Sequence, residues 1–403
     1  MSLILTWHGR EAAEVVGRTR GLCYGAAQQN VASYPEFLAK DERIVADDLL
    51  LAERDGVAVG TATAYSMSMW VRGQAIPCQG VAYVGTIKTH RRSGGVASAI
   101  MRATLDKARQ RGQALSALMP FRASFYEHFG YGLVERRAAW TIPLSVLPTG
   151  PTAGFTFLTG ADEARRACRQ RMIQAGQCDI ERTDGSWGGY LHNEREGFVV
   201  ADQPTGAAMR SWWHWSQVKR NDRDVLHVHD QAFDSIESLR RGLAFFATLK
   251  DQFWAVTLTL PADLPLNRFL KETQVPHRAV NHETAEVRTF TRMQVRVLDH
   301  VRLINGLRLP DDARGGANVA IAETEGTITS LRIEVDGGRA TATPTRGVPD
   351  LECADRDWAA IVLGDLPATR AVALGLAKGR PGAALRVLDA FAVGPAPYSN
   401  EYF

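Results

Sequence analysis

The sequence of 403 residues has few of the features that mark several classes of protein. Its five cysteines are odd in number and none are spaced as Cys-x-x-Cys, which argues against a disulfide framework or a zinc site. No stretch approaches the ~18 uncharged apolar residues of a membrane span. The N-terminal segment also lacks the basic and apolar regions of a signal peptide. We therefore expect a cytoplasmic protein with reduced, mostly buried thiols and no membrane partner.

The sequence also has little excess charge of either sign. Its 47 Lys and Arg against 44 Asp and Glu give a formal net charge of +3. This excess is too small to indicate a nucleic-acid partner, and none is expected. A hydrophobic content of 45% and a charged content of 23% are typical of a globular chain. The length is enough for two to three domains of ~150 residues each.

Strand and helix patterns alternate in the first third of the chain. Residues 12–24 are compatible with a helix, and residues 49–60 predict two strands around an Asp-Gly turn. Residues 74–86 have the composition of a strand. From Gly94 the apolar residues recur at helical spacing, and residues 114–119 form a short apolar run. The order strand, helix, strand predicts a βαβ unit.

Composition indicates where domains begin and end. A cluster of Pro, Gly and Thr at residues 147–154 predicts a boundary. The region up to residue 288 again alternates helix and strand but lacks a Gly-rich basic turn. The last third combines strand-like and helical segments. We therefore predict domains at residues 1–146, 147–288 and 289–403.

The most informative stretch is Thr-His-Arg-Arg-Ser-Gly-Gly-Val at residues 89–96. It follows a β-branched run and opens a predicted helix, where backbone N–H groups and the helix dipole favour an anion. Glycines allow close approach of the backbone, and Arg91 and Arg92 add charged donors for phosphate oxygens. This pattern predicts a pyrophosphate site; the alternative is a solvated basic start of a helix.

A second motif, Phe-Tyr-Glu-His-Phe-Gly-Tyr-Gly, occupies residues 125–132. With the pattern Gln/Arg-x-x-Gly-x-Gly/Ala, which Arg92, Gly95 and Ala97 fit, it resembles the GNAT superfamily of N-acetyltransferases. A register one residue earlier fits less well. Thr-His-Arg-Arg-x-Gly followed by Tyr-x-x-Phe-Gly-Tyr-Gly is most similar to the enhanced intracellular survival (Eis) family. The resemblance is strong over residues 80–135 and looser elsewhere.

This resemblance implies a fold, an activity and an assembly. The implied fold is α/β (α+β): two tandem GNAT-like domains, of which only the first binds acetyl-CoA, followed by a sterol-carrier-protein-like domain. The implied activity is direct transfer of acetyl from acetyl-CoA to primary amines of multi-amine small molecules such as aminoglycosides, at one or several positions, in a ternary complex. The implied assembly is a homo-hexamer, a trimer of dimers. Two alternatives remain: acetylation of protein lysines, or a CoA- or lipid-binding protein with a vestigial transferase domain.

The resemblance also implies roles for residues. Tyr126 would protonate the departing CoA thiolate, and the α-carboxylate of Phe403 would take a proton from the amine. Glu401 would attract a cationic substrate. The cofactor would be bound by Val84, Gly85, Thr86, Arg91, Arg92, Ser93, Gly94, Gly95, Val96, Ala97, Phe121 and Arg122. The alternatives are an aromatic anchor for Tyr126, a docked apolar end for Phe403 and a surface carboxylate for Glu401.

Two departures from the family pattern affect these roles. Ser93 replaces a frequent third arginine, and Thr86 replaces an apolar strand residue. The first predicts weaker phosphate affinity. The second leaves the backbone role of the strand intact but changes its packing.

One further cluster resembles a metal site. His227 and His229 lie two residues apart, so they share one face of a strand, whereas Asp230 lies on the other face. No other His or Cys cluster completes a ligand set. We therefore expect no metal.

Overall fold

The computed structural model describes residues 2–92, 95–273 and 283–403. Ser93 and Gly94, both predicted to contact the pyrophosphate, lie outside the described residues. The strands are β1 (Leu3–His8), β2 (Leu49–Arg54), β3 (Val57–Val71), β4 (Gln74–Thr86), β5 (Leu115–Leu118), β6 (Gly132–Leu133), β7 (Arg137–Pro143), β8 (Phe155–Leu158), β9 (Asp179–Ile180), β10 (Phe198–Asp202), β11 (Ser211–Arg220), β12 (Arg223–Phe233), β13 (Ala255–Pro261), β14 (Glu286–Phe290), β15 (Gln294–Val297), β16 (Gly315–Ala322), β17 (Ile328–Asp336), β18 (Arg339–Pro344), β19 (Leu351–Ala354) and β20 (Ala377–Gly379).

Helices lie between groups of these strands along the chain. They are α1 (Ala13–Tyr24), α2 (Gln28–Lys40), α3 (Val96–Gln110), α4 (Ala123–Glu127), α5 (Glu163–Ala175), α6 (Asp184–Asn193), α7 (Ile236–Ala247), α8 (His300–Ile304), α9 (Asp355–Val362), α10 (Ala368–Ala373) and α11 (Ala383–Asp389). No helix in the described ranges has both the length and the apolar character needed to cross a bilayer.

The described strands form three sheets. The first has the order β1-β2-β3-β4-β5-β15-β6, with β9 paired to β3. The second has the order β14-β7-β13-β12-β11-β10-β8, and the third has the order β18-β17-β16-β19-β20. All three are mixed sheets, since β4 pairs in parallel with β5, β12 with β13, and β16 with β19. The fold is therefore mixed α/β.

The sheets exchange strands across the predicted domain limits. Strand β7 precedes residue 147 but lies in the second sheet, between β13 and β14. Strand β15 follows residue 288 but pairs with β5 and β6 in the first sheet. The limits at 146/147 and 288/289 stay predictions, as does the sterol-carrier-like character of the last domain.

One apolar core joins the first and third sheets. Val71 and Val295 of the first sheet are buried in the same cluster as Val319 of the third and Trp358 of α9. Burial contributes roughly 25 cal/mol per Å² of apolar surface, so a shared core holds the C-terminal region firmly on the first sheet. The second sheet has a separate core beneath α7. This arrangement brings the end of the chain back to the first sheet.

Candidate active site

Strands β4 and β5 part at the centre of the first sheet. They pair in parallel over only four residue pairs, from Cys78–Leu115 to Val81–Leu118. Strand β5 then ends, whereas β4 continues to Thr86 with β3 on its other side. Residues 82–86 therefore have an edge that faces no strand of the described chain. Such an edge can pair with the amide groups of an extended ligand.

A bulge lies at the start of this open edge. Tyr83 has a φ of 53°, in the left-handed region, and the pairing of β3 with β4 shifts register beside it. A bulge of this kind changes the direction in which backbone groups and side chains point. The Tyr24 hydroxyl donates a hydrogen bond of 2.5 Å to the Val84 carbonyl, which fixes α1 against the edge. Val84, Gly85 and Thr86, the predicted contacts of the pantetheine arm, all lie on this edge.

The basic turn lies just beyond the end of β4. Arg91 and Arg92 are exposed, and Gly95, with a φ of 68°, directly precedes helix α3. No side chain of the described residues caps α3, so the N–H groups of its first turn, which includes Val96 and Ala97, can bind a ligand. The Val96 side chain is buried, so any contact it makes with a cofactor is through its backbone.

A surface cavity of about 600 Å³ lies between α3 and α4. The predicted cofactor contacts Phe121 and Arg122 both line it, and the Phe121 side chain is 69% exposed. Ser98 and Arg102 of α3 also line it, and neither was predicted. Their spacing of four residues places them on one helix face, a signal that the sequence does contain.

Tyr126 stands on α4 beside this cavity, only 5% exposed. Its ring packs edge-on against Phe121, Phe125 and Tyr131, with centroids 5.0–6.2 Å apart. Burial raises the pKa of Tyr126 to about 12. The hydroxyl is therefore protonated at neutral pH, which is the state a proton donor needs.

Two glycines of the second motif hold α4 in place. Gly130 has a φ of 76°, a conformation that glycine adopts without strain. A Cβ on Gly132 would lie 1.9 Å from the backbone oxygen of Arg356, which enters from α9. The Phe-Gly-Tyr-Gly sequence is thus required by a tight turn and a close contact with the C-terminal region. These contacts position Tyr126.

The C-terminus is docked on the first sheet. A Cβ on Gly80 would lie 3.0 Å from a ring carbon of Phe403, so the terminal ring covers β4 three residues before the bulge. Arg292 fixes the approach, because its guanidinium donates to the carbonyl oxygens of Ser399 and Glu401 at 3.0 and 2.9 Å. The ring of Phe403 is thereby held over β4 close to where β4 and β5 part, and the role of its α-carboxylate stays a prediction.

Glu401, predicted to attract a cationic substrate, lies in a buried cluster of ion pairs, and that role stays a prediction. Its side chain is only 4% exposed and forms ion pairs with Arg182 at 2.6 Å and Arg169 at 3.4 Å. Arg182 also contacts Asp230 at 2.9 Å, and Arg169 contacts Asp179 at 2.9 Å. Both arginines engage the Glu401 carboxylate inside the fold, so these contacts favour an anchor for the C-terminal segment over attraction of a cationic substrate. They also exclude an ordinary surface carboxylate.

We expect Arg182→Met to lower the free energy of unfolding by about 3–5 kcal/mol, because it leaves Asp230 and Glu401 buried with too little positive charge. The matched control is Arg166→Met, which breaks an exposed pair with Asp184 and is expected to cost less than about 1 kcal/mol. Urea unfolding of both variants measures the difference. Equal stabilities would contradict an anchoring role for this cluster.

The two histidines of β12, His227 and His229, form hydrogen bonds with hydroxyl groups. His227 Nδ1 lies 2.7 Å from the Thr257 hydroxyl, and His229 Nε2 lies 2.7 Å from that of Ser216. Asp230 faces Arg182 instead. Among the described residues, three acidic groups close enough to share an ion do occur at Glu323, Glu325 and Asp355, but Arg296 lies within 4 Å of all three. The expectation of no metal stays a prediction.

Comparison with known proteins agrees with this geometry. Residues 19–134 match the acetyltransferase (GNAT) domain family. An uncharacterized N-acetyltransferase of Streptomyces avermitilis is 27% identical over 87% of this chain and 88% of its own length. A GCN5-related N-acetyltransferase from Anabaena variabilis has a TM-score of 0.86 at 16% identity, and Eis1 from Mycobacterium abscessus has 0.76 at 20%. Both alignments cover each chain completely.

Residues 19–134 are therefore identified as an acetyltransferase (GNAT) domain, and the chain as an N-acetyltransferase. Its architecture is Eis-like, since the whole chain shares its fold with Eis1 from Mycobacterium abscessus. This confirms the resemblance inferred from the two motifs at residues 89–96 and 125–132.

Proposed function

We propose that this protein transfers an acetyl group from acetyl-CoA directly to a primary amine of a small molecule. The observation that carries the proposal is the open edge of β4 at residues 82–86, which has the basic turn at one end and the docked C-terminus at the other. GNAT domains use acetyl-CoA, whose pantetheine arm contains the amides that such an edge can pair with.

The reaction needs one group that protonates the leaving thiolate and another that takes a proton from the amine. Attack of a neutral amine on the thioester forms a tetrahedral intermediate, whose oxyanion is stabilised by backbone N–H groups freed at the bulge. Collapse breaks the C–S bond, and Tyr126 supplies the proton that the thiolate takes up. The Phe403 α-carboxylate accepts the proton that the amine loses. Both groups belong to the proposal, which rests on the burial of Tyr126 and on the docked terminal ring.

The acceptor binds, in this proposal, in a cavity of about 820 Å³ on the acceptor side of β4. Tyr83 and Tyr402 line it, so it adjoins both the open edge and the C-terminus. The volume suits a small molecule. Three carboxylates and three cations line this cavity, so it offers no excess of negative charge to an aminoglycoside. That acceptor stays a prediction from the resemblance, as do multi-site acetylation and the hexamer.

We expect Arg92→Ala to weaken acetyl-CoA binding by about 10- to 100-fold, because it removes charge-assisted hydrogen bonds to the pyrophosphate. Calorimetric titration of the variant with acetyl-CoA measures the loss. Arg109→Ala, in the last turn of the same helix and exposed, is the control and should bind normally. If both variants bound acetyl-CoA with equal affinity, the pyrophosphate would have to bind outside the basic turn.

A further inference from the structure

Arg20 is a buried cation at the floor of the acceptor cavity. It stands on α1 one turn before Tyr24, lines the cavity and is 3% exposed. Its guanidinium lies over the Tyr83 ring, 3.7 Å from the centroid, and donates to the Thr63 hydroxyl at 2.6 Å. Its Nε has no hydrogen-bond partner in the described part of the chain.

No described carboxylate forms an ion pair with Arg20. Asp41 contributes to the field around it, but Asp41 is already paired with Arg43 at 2.8 Å and accepts a hydrogen bond from the Tyr65 hydroxyl at 2.7 Å. Two buried or half-buried guanidinium groups thus face one carboxylate. A buried arginine is normally paired, because taking its charge out of water is costly.

The other charges of the cavity do not balance Arg20. Lys40 and Glu36 pair with each other at 2.7 Å on the exposed rim. Glu42 is exposed and lies near Gly185 and Gly188 of α6, where it borders the mouth. The cavity therefore has a positive floor and an acidic group at its edge.

We propose that Arg20 binds a carboxylate of the acceptor, so that the substrate class is an amino carboxylate. The proposal rests on the acetyltransferase function above. A carboxylate bound at Arg20 accepts charge-assisted hydrogen bonds from the guanidinium and balances its charge. Arg20 touches Tyr83, which directly precedes Val84 on the open edge, so an amine on the same small molecule lies within reach of the thioester.

The test uses ω-amino carboxylates from glycine to 6-aminohexanoate, together with lysine, each compared with its own amide. Thiol release from acetyl-CoA measures kcat/KM, and calorimetry on the CoA-saturated enzyme measures binding without turnover. We expect at least one carboxylate to exceed its amide by about 10- to 100-fold in wild type. Arg20→Gln should reduce the ratio of carboxylate to amide kcat/KM to about one, and Arg20→Lys should restore part of that ratio. Lys40→Gln, on the rim, should keep the full preference.

The outcomes separate this inference from the proposed function. Equal turnover of every carboxylate and its amide would overturn the role of Arg20 and leave the transferase intact. If a carboxylate bound more tightly than its amide but neither was acetylated, the role of Arg20 would be supported and the acetyltransferase function contradicted. Equal losses for carboxylate and amide in Arg20→Gln would show that Arg20 merely supports Tyr83, and would overturn the inference. So would the absence of binding by any member of the series.

Discussion

Removal of Phe403 is expected to lower turnover with an amine acceptor by about 10²- to 10⁴-fold, the usual contribution of a positioned general base. The truncation transfers the α-carboxylate to Tyr402, whose side chain is exposed, and removes the ring that covers Gly80. Acetyl-CoA binding should persist, because the open edge of β4 and the basic turn are untouched. Thiol release and calorimetry on the truncated protein measure the two effects separately.

Two variants isolate the carboxylate from the ring. One extra glycine after Phe403 keeps the ring but displaces the carboxylate by up to ~3.5 Å, and should be nearly as slow as the truncation. Phe403→Leu keeps the carboxylate and an apolar side chain, and should retain most of the activity. Wild-type turnover in the truncated protein would remove the terminal carboxylate from the mechanism.

Tyr126→Phe is expected to reduce turnover by about 10²- to 10⁴-fold while acetyl-CoA affinity is unchanged, because the hydroxyl donates its proton only as the C–S bond breaks. Burial raises the pKa of Tyr126 to about 12. The hydroxyl therefore stays protonated between about pH 6 and 9, below even the ordinary tyrosine pKa of about 10. Any loss of kcat in that range belongs to another group. Steady-state rates across this range, with and without the substitution, test both statements.

Tyr131→Phe is the matched control for Tyr126. Tyr131 is also buried, but its hydroxyl is engaged with Ser116 at 2.7 Å. Its loss should cost about 1 kcal/mol of stability and leave kcat nearly unchanged. If both phenylalanine variants turned over at the wild-type rate, the thiolate would have to receive its proton from a different donor.

Local patterns explain how much of the fold could be predicted. Helix α3 was predicted from the helical spacing of its apolar residues, and β2 with the start of β3 from the Asp-Gly turn between them. Strand β3 continues beyond the predicted limit, to Val71. Helix α2 was missed, since it contains Pro35. It packs on α1 so closely that a Cβ on Gly17 would lie 2.5 Å from the Pro35 Cα. Only the tertiary structure shows such a helix. The pairing of β15 with strands of the first sheet is likewise seen only in the folded chain.

The residues of the candidate site also fall into those that a local motif predicts and those that only the folded structure shows. The basic turn and the Phe-Gly-Tyr-Gly motif are continuous in sequence, so both could be assigned before the structure was known. Arg20 could not, because an arginine on α1 has no local mark of burial. The buried environment of Glu401 could not be predicted from the sequence either, because its partners Arg169 and Arg182 lie more than two hundred residues earlier in the chain.

The most direct test of the account is acetyl transfer itself. The purified protein is incubated with acetyl-CoA and a panel of aminoglycosides, polyamines, amino carboxylates and lysine peptides, and released thiol is compared with acetylated product by mass spectrometry. An acetyltransferase releases one thiol for each acetyl group found on an amine nitrogen of a small molecule, and this is the expected result. Acetyl-CoA that binds but is never consumed with any acceptor would contradict it and favour a binding protein with a vestigial transferase domain.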